Sequence, residues 1–241
     1  MTEKLLLRGQ GMKILAIDSS AKSVSAALVE DGKVICETFA NIGLTHSETL
    51  MPMISFTLKS AKASPDDIDI YALTTGPGSF TGIRIGAAAV KGMAQAKDKK
   101  CVGVSSLEAI AFPYRDSENI VCAVMDARCS QVYCAAFRNG ERLFEDKAIL
   151  IEELCSDLKE YNEKTVFVGD GAKLVYDSLK DRLDCVRAKP ENEFPHASSV
   201  ALIAEKRADT AVPYSQIVPV YLRLPQAQRE LNNKKEREDK K

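Results

Sequence analysis

The sequence predicts an α/β protein with two duplicated lobes, and a gapless internal repeat is the first observation behind this prediction. An apolar run over residues 14–18 ends at Asp18, and a second run over residues 121–126 ends at Asp126. Each run is followed by a polar turn, another apolar strand and an Asp-Gly or Asn-Gly pair. Such pairs favour tight hairpins between antiparallel strands. Placing Asp18 on Asp126 therefore aligns two strand–turn–strand–hairpin–strand units.

The second observation is the order of elements after each unit. A helix-like stretch, a short apolar strand with a glycine turn and a second helix follow, with the strands and turns at residues 73–78 and 165–171. Two such halves across a cleft match the duplicated two-lobed actin/hexokinase/Hsp70-like (ASKHA, ribonuclease H-like) fold. Two unrelated α/β layers are the alternative, because they use the same local patterns. The predicted organisation is an N-terminal extension or expression remnant at 1–11, a first lobe at 12–107, a second lobe at 108–225 and a charged tail at 226–241.

Composition indicates an ordinary globular protein. The 241 residues are 45% hydrophobic and 28% charged, and the formal net charge is -1. This charge gives no global field for nucleic acid, so we expect any RNA contact to be local or made through a partner. The seven cysteines form no C-x-x-C pair, which favours reduced buried thiols. No apolar run approaches the ~20 residues of a membrane span, so we expect a cytoplasmic protein without membrane contact.

Two helices of the first lobe are predicted to carry more apolar surface than one core requires. Pro52 should mark the start of the first helix, within 46–63, or a bend in it. Phe56 falls outside the apolar stripe of that helix, which consists of Leu50, Met53, Ile54, Leu58 and Ala61. The second helix, 81–97, is apolar around most of its circumference. Small residues on one side of it permit close approach by another element: Gly82, Gly86 and Ala89.

The segment 76–86 is the most informative part of the chain. Gly76 and Gly78 favour a tight turn, and Ser79 or Thr81 can cap the helix that follows. A glycine turn that opens a helix also suits an anion. Its spacing, however, is that of neither a dinucleotide-binding nor a P-loop motif.

As a whole, this undecapeptide resembles the signature of the TsaB (YeaZ) family. The resemblance extends over about 12–223, on the blocks at 16–20, 46–48, 76–86, 102–107, 126–128 and 219–223. It implies a non-catalytic scaffold subunit that binds TsaD and is active together with the ATPase TsaE. The complex transfers threonylcarbamoyl to adenosine 37 of tRNAs reading ANN codons, which is the t6A modification.

The superfamily resemblance also predicts a degenerate nucleotide cleft. Carboxylates after the first strand of each half face phosphates and a divalent cation in that superfamily. The corresponding candidates here are Asp18, Ser19, Asp126, Arg128, Gly169 and Gly171. Few glycines flank the aspartates, so we expect them to cap turns rather than to catalyse. A turn that starts a helix is the favoured explanation of the two glycines, and nucleotide contact is the alternative.

The histidines argue against a metal site. The TsaD paralogue holds its metal with an H-x-x-x-H pair, whereas His46 is followed at that spacing by Leu50. We therefore predict no metal ligand and no catalytic residue in this chain, and no firmly bound cofactor. ATP or ADP and the divalent metal are expected on the partner subunits.

The resemblance further implies that the first-lobe helices contact TsaD, or a second copy when TsaD is absent. The interface candidates are Met51, Phe56, Ile83, Gly86, Ala87, Val90 and Met93. Core packing is the alternative for each, and Ile83→Asp is predicted to weaken partner binding more than folding. A different function that remains open is a small-molecule ATP-dependent kinase of the same superfamily. Proteolysis of TsaD is a third, although no nucleophile–base pair supports it.

Overall fold

A computed structural model describes residues 11–43, 45–128 and 130–223. The charged tail at 226–241 and all but Gly11 of the predicted extension lie outside the described residues. The strands are β1 (Lys13–Asp18), β2 (Val24–Glu30), β3 (Lys33–Ala40), β4 (Ile70–Gly76), β5 (Lys100–Ser105), β6 (Ile120–Asp126), β7 (Gln131–Arg138), β8 (Glu141–Leu150), β9 (Thr165–Val168), β10 (Cys185–Arg187) and β11 (Val212–Pro213). The helices are α1 (His46–Ser60), α2 (Phe80–Ala96), α3 (Ser106–Ala111), α4 (Ile151–Lys159), α5 (Ala172–Leu179) and α6 (Ala197–Lys206). Within these ranges, no helix has both the length and the apolar character required to cross a membrane.

Two mixed sheets confirm the predicted duplication. The first has the strand order β11-β5-β4-β1-β2-β3, and the second has the order β10-β9-β6-β7-β8. In each, the first two strand pairs of the half are antiparallel and the next two strands are parallel to the first strand, while β11 pairs antiparallel with β5. Apart from β11, the two sheets have the same order when counted from the start of each half. This is the two-lobed actin/hexokinase/Hsp70-like architecture.

The hairpin turns form as predicted. Asp31 and Gly32 have φ values of 47° and 75°, and Asn139 and Gly140 have 49° and 75°. Two successive residues in the left-handed region define the type I′ turn, which matches the twist of the flanking strands. Turn chemistry alone therefore located both hairpins.

The register of the two halves differs by one residue, which the gapless alignment did not predict. Asp18 lies opposite Ser25 across β1 and β2, whereas Asp126 lies opposite Val132 across β6 and β7. The alignment places Val132 on Val24, not on Ser25. Since side chains alternate along a strand, a one-residue difference moves the side chain to the other face of the sheet.

Two helices pack on the sheet of the other half: α3, which follows β5 of the first sheet, and α6, which follows β10 of the second sheet. The apolar side chains of α6 pack on the first sheet against Ile14 and Ala16, and those of α3 pack on the second sheet against Val121 and Ala123. Strand β11 also joins the first sheet. The predicted boundary between 12–107 and 108–225 falls within α3, so the predicted lobes do not coincide with the two sheets.

Helix α1 decides between the two predicted roles of Pro52 in part. It begins at His46 and contains Pro52 within it, so the proline does not mark the start of the helix, and a bend at Pro52 stays a prediction. The predicted stripe is confirmed: Leu50, Ile54 and Leu58 are buried, and Met53 and Ala61 pack partly against the same core.

Candidate functional site

The turn after β1 is buried. Asp18, Ser19 and Ser20 are 0%, 2% and 0% exposed, and Lys22 is the one exposed residue of the turn at 18–23. Asp18 Oδ1 accepts hydrogen bonds from the Ser20 amide (3.1 Å), the Ser20 hydroxyl (2.6 Å) and the Thr74 hydroxyl (2.6 Å). Its Oδ2 has no hydrogen-bond partner among the described residues. The carboxylate therefore stabilises this turn by accepting hydrogen bonds within it and from β4, which is the capping role predicted for it.

Burial dominates the ionisation of Asp18. Removal from water raises the pKa of its carboxyl above the usual value, while the hydrogen bonds from Ser20 and Thr74 act in the opposite direction. A buried carboxylate is costly unless its oxygens are paired, and only one of the two oxygens is paired here. The folded protein therefore favours the protonated form more than the unfolded chain does.

The glycines of the 76–86 segment allow α2 to lie directly on this turn. A Cβ atom on Gly82 would be 2.0 Å from the Ser19 carbonyl oxygen, and one on Gly86 would be 2.4 Å from Ser19 Oγ. Ser19 Oγ donates to the Gly82 carbonyl at 2.9 Å, and the Ser79 amide donates to the Ser20 carbonyl at 2.7 Å. Ser79 is also the N-cap of α2, as predicted, since its Oγ accepts from the Gly82 amide at 3.2 Å. Gly82 and Gly86 thus permit the close packing of α2 on the turn after β1.

The turn after β6 is built differently from the turn after β1. Asp126 is exposed, its Oδ1 accepts from the Arg128 amide at 2.7 Å, and Arg128 has a φ of 65°. The Asp126 amide donates to Asp170 Oδ1 at 3.2 Å. Burial raises the pKa of the Asp170 carboxyl, and the nearby Asp126 charge acts in the same direction. Asp170 was not among the predicted site residues, although it lies between the two predicted glycines.

Gly169 and Gly171 place that loop against the end of β6. Gly169 has a φ of 106°, and a Cβ atom there would be 2.1 Å from the Val124 carbonyl oxygen. The Gly171 amide donates to the same carbonyl at 3.1 Å. Close backbone packing therefore accounts for both glycines, and nucleotide contact at this loop remains a prediction.

The two predicted carboxylates do not occupy equivalent faces of their sheets. Asp18 lies on the same face of its sheet as Ile14 and Ala16, and the crossing helix α6 covers that face. Asp126 lies on the same face of its sheet as Cys122 and Val124, and α4 and α5 cover that face. The structure therefore places Asp18 with Ser19 and Asp126 with Arg128, without making the two aspartates a symmetric pair.

The segment at 219–223 connects the end of β4 with the turn after β6. The Val220 amide donates to the Thr75 carbonyl at 2.8 Å, at the end of β4. The Arg223 guanidinium donates to the Ala127 carbonyl, in the turn after β6. The family resemblance of this block did not indicate that it joins the two halves.

The same segment packs on the start of α2. The Tyr221 ring lies 4.6 Å from the Phe80 ring, and Arg84 Nε donates to the Tyr221 hydroxyl at 2.9 Å. The Arg84 guanidinium carbon also lies 3.7 Å from the Phe80 ring centre. Arg84 therefore joins the 219–223 segment to the first turn of α2.

The two histidines lie in separate environments. His46 Nε2 is 2.8 Å from the Ala21 carbonyl oxygen, and His196 stacks on Phe39 with ring centres 4.7 Å apart. His196 Nδ1 lies 3.4 Å from Glu37 Oε2, and this contact raises the pKa of His196. In the part of the chain that the structure describes, no group of three or more potential metal ligands comes together.

The structure corrects the list of predicted interface residues. Ile83, Ala87 and Val90 are 1%, 6% and 0% exposed, and Gly86 is buried, so α2 turns these residues toward this chain's own core. Met51 and Phe56 of α1 are 50% and 62% exposed. Half-buried apolar residues on the flank of α2 complete what we call the apolar helix surface: Met51, Phe56, Ile85, Ala89 and Met93.

Comparison with known proteins agrees with this fold. Residues 41–231 match the family model described as TsaD, tRNA N6-adenosine threonylcarbamoyltransferase. The tRNA threonylcarbamoyladenosine biosynthesis protein TsaB of Bacillus subtilis is 31% identical over 225 residues, which cover 90% of this chain and 96% of that protein. The chain belongs to the TsaB family.

Two further relatives agree. The protein of the same description from Escherichia coli is 31% identical over 234 residues, covering 92% of this chain and 100% of that protein. The solved structure of YeaZ from Pseudomonas aeruginosa superposes with a TM-score of 0.70 at 25% identity, covering 88% of this chain and 100% of that one. The family resemblance noted in the sequence is thus confirmed.

Proposed function

We propose that this chain is a non-catalytic scaffold subunit that binds TsaD and supports the transfer of threonylcarbamoyl to adenosine 37 of tRNAs reading ANN codons. Involvement in tRNA threonylcarbamoyladenosine biosynthesis follows from the family. The more specific proposal adds that TsaD and TsaE carry the nucleotide and metal chemistry in the cytoplasm. It also adds that tRNA reaches this subunit through the complex.

One observation carries the non-catalytic part of the proposal: the turn after β1 is covered by α2. A phosphate-binding turn needs backbone amides that face a ligand. Here the Ser20 amide donates to Asp18, and Ser19 and Ser20 carbonyls face Gly82 and Ser79. The same burial argues against the kinase alternative, which requires Asp18 to reach a nucleotide.

The apolar helix surface supports the binding part of the proposal. Phe56 lies opposite the buried stripe of α1, where a large aromatic side chain makes no contribution to the core. Large exposed apolar side chains such as Met51 and Phe56 are typical of protein interfaces. TsaD is the proposed occupant, and a second copy of this chain is the proposed occupant when TsaD is absent.

Reconstitution tests the role directly. Threonylcarbamoyl transfer to tRNA would be measured with the cognate TsaD and TsaE, with and without this chain, and with this chain alone. We expect threonylcarbamoyl transfer only in the complete mixture of the three proteins. Transfer without this chain would refute the proposal that it is a required subunit. Asp18-dependent ATP hydrolysis by this chain alone would support the kinase hypothesis instead.

A pair of matched variants tests the surface. Phe56→Asp should weaken TsaD binding by about 10- to 100-fold, because burial of one such side chain contributes about 1.5–3 kcal/mol. Leu174→Asp is the control, since Leu174 is an exposed apolar residue of α5 at 42% exposure. Titration calorimetry against TsaD would compare both with the unmodified chain. Equal affinities for all three proteins would place the TsaD interface elsewhere.

A further inference from the structure

A small cavity lies at the far end of the crossing helices from the two turns. It has a volume of about 160 Å³ and is enclosed by the ends of α3 and α6 and by the β7–β8 hairpin. Four buried apolar residues form its floor: Ala111, Val121, Phe137 and Ile203. Val121 is five residues along β6 from Asp126, or about 17 Å of extended strand. The cavity is therefore separate from the predicted nucleotide cleft.

The rim of this cavity is cationic. It contains one carboxylate, Glu108, and four cationic side chains: Arg115, Arg138, Lys206 and Arg207. Arg207 engages Glu108 with both terminal nitrogens, at 2.5 and 3.1 Å, which joins α6 to α3. Arg138 is paired with Glu163 at 2.6 Å. These two arginines are thus largely neutralised by their partners.

The other two cations share one aromatic ring. The Arg115 guanidinium carbon lies 4.6 Å from the Phe112 ring centre, and Lys206 Nζ lies 5.5 Å from the same centre. Arg115 donates one hydrogen bond to the Phe112 carbonyl at 3.3 Å, and its one ion pair among the described residues is a long contact of 3.8 Å with the exposed Asp116. Lys206 has no ion pair with any of the described residues. Two like charges at one ring repel each other, and an anion between them would relieve that repulsion.

We propose that this cavity binds a small organic anion, a carboxylate or a phosphate monoester carried on an apolar body about the size of a benzene ring. Arg115 and Lys206 receive the anionic group at the mouth, and the apolar body rests on Phe137 and Ile203. The size follows from the volume, because a cavity of about 150 Å³ accommodates benzene. This inference is independent of the proposed TsaD partnership.

Titration calorimetry of the full chain with benzoate and with phenyl phosphate tests the proposal, with neutral benzamide as the uncharged comparison. We expect saturable one-to-one binding of at least one anion and at least 10-fold weaker binding of benzamide. Whichever anion binds more tightly identifies the preferred acidic group. Lys206→Gln and Arg115→Gln should each weaken anion binding at least 5-fold, and both side chains are exposed, so folding should be retained.

Lys180→Gln is the matched control. Lys206 ends α6, and Lys180 follows the last turn of α5, so each lysine complements a helix C-terminus to a similar extent. A role restricted to the helix dipole would therefore lower the melting temperature of both variants equally and leave anion affinity unchanged. That result would overturn the proposal, as would the absence of saturable binding or equal binding of benzamide.

Discussion

The Asp18 carboxylate lies in a buried turn where, among the described residues, only one of its two oxygens has hydrogen-bond partners. Its raised pKa means that the protonated form is favoured by folding. The stability associated with that form is present below the unfolded pKa of about 3.8 and is lost as pH rises through the higher folded pKa. Because Asn is neutral at every pH, Asp18→Asn should gain stability relative to the unmodified chain between pH 4 and pH 7. Urea unfolding at both pH values measures this difference, and a pH-independent difference would contradict it.

His196 should show a pH dependence with a different origin. Burial alone would raise the pKa of Glu37, but hydrogen bonds from His196 and Ser198 lower it, and the same pair raises the pKa of His196. The stabilisation is fully present below the unfolded histidine pKa of about 6.5 and is lost as pH rises through the folded value. His196→Gln should therefore cost about 2 kcal/mol at pH 6 and less at pH 8.5. Chemical unfolding at the two pH values measures this, and an equal cost at both would exclude the ion pair.

At the scale of one helix, α2 offers two glycines with opposite expectations. A Cβ atom at Gly82 would meet the Ser19 carbonyl oxygen at 2.0 Å, whereas no atom lies within 4 Å of one at Gly92. Gly82→Ala should therefore destabilise the protein by about 1–3 kcal/mol. Gly92→Ala should stabilise it by up to about 1 kcal/mol, since Ala favours helix formation. Thermal unfolding of both variants tests this. If Gly82→Ala were stabilising, the turn after β1 would have to shift to make room for the added Cβ atom.

The same helix shows what the sequence could and could not predict. The small residues Gly82 and Gly86 indicated close approach by another element, and the structure confirms it. The apolar positions at Ile83, Ala87 and Val90 could not be assigned between the core and a partner. An apolar side chain has the same chemistry in either place, so periodicity shows that a face is buried without showing what buries it.

At the scale of the whole molecule, local patterns located both strand units because hairpin chemistry acts over a few residues. The face reached by Asp126 depends on register, which the connection between β6 and β7 sets, and a gapless alignment cannot detect a shift of one residue. The sheet on which α6 packs is set by contacts between residues far apart in the sequence. The amphipathic pattern of α6 requires an apolar partner but does not distinguish the first sheet from the second.

The crossing of α6 makes a prediction about the whole chain. Five buried side chains of α6 cover the first sheet, and without them Ile14, Val29, Ile70, Val102 and Val104 would face water. At about 1.5–3 kcal/mol for each large side chain, the loss is on the order of 10 kcal/mol, comparable with the whole stability of a typical domain. A fragment of residues 12–116 should therefore show no cooperative thermal unfolding. Adding residues 117–223 in trans should restore it, because that fragment supplies α6 and β11. Cooperative unfolding of 12–116 alone, with the same transition in the presence and absence of 117–223, would show that the first sheet is an independent domain. The intact chain over 12–223 provides the reference transition for both mixtures.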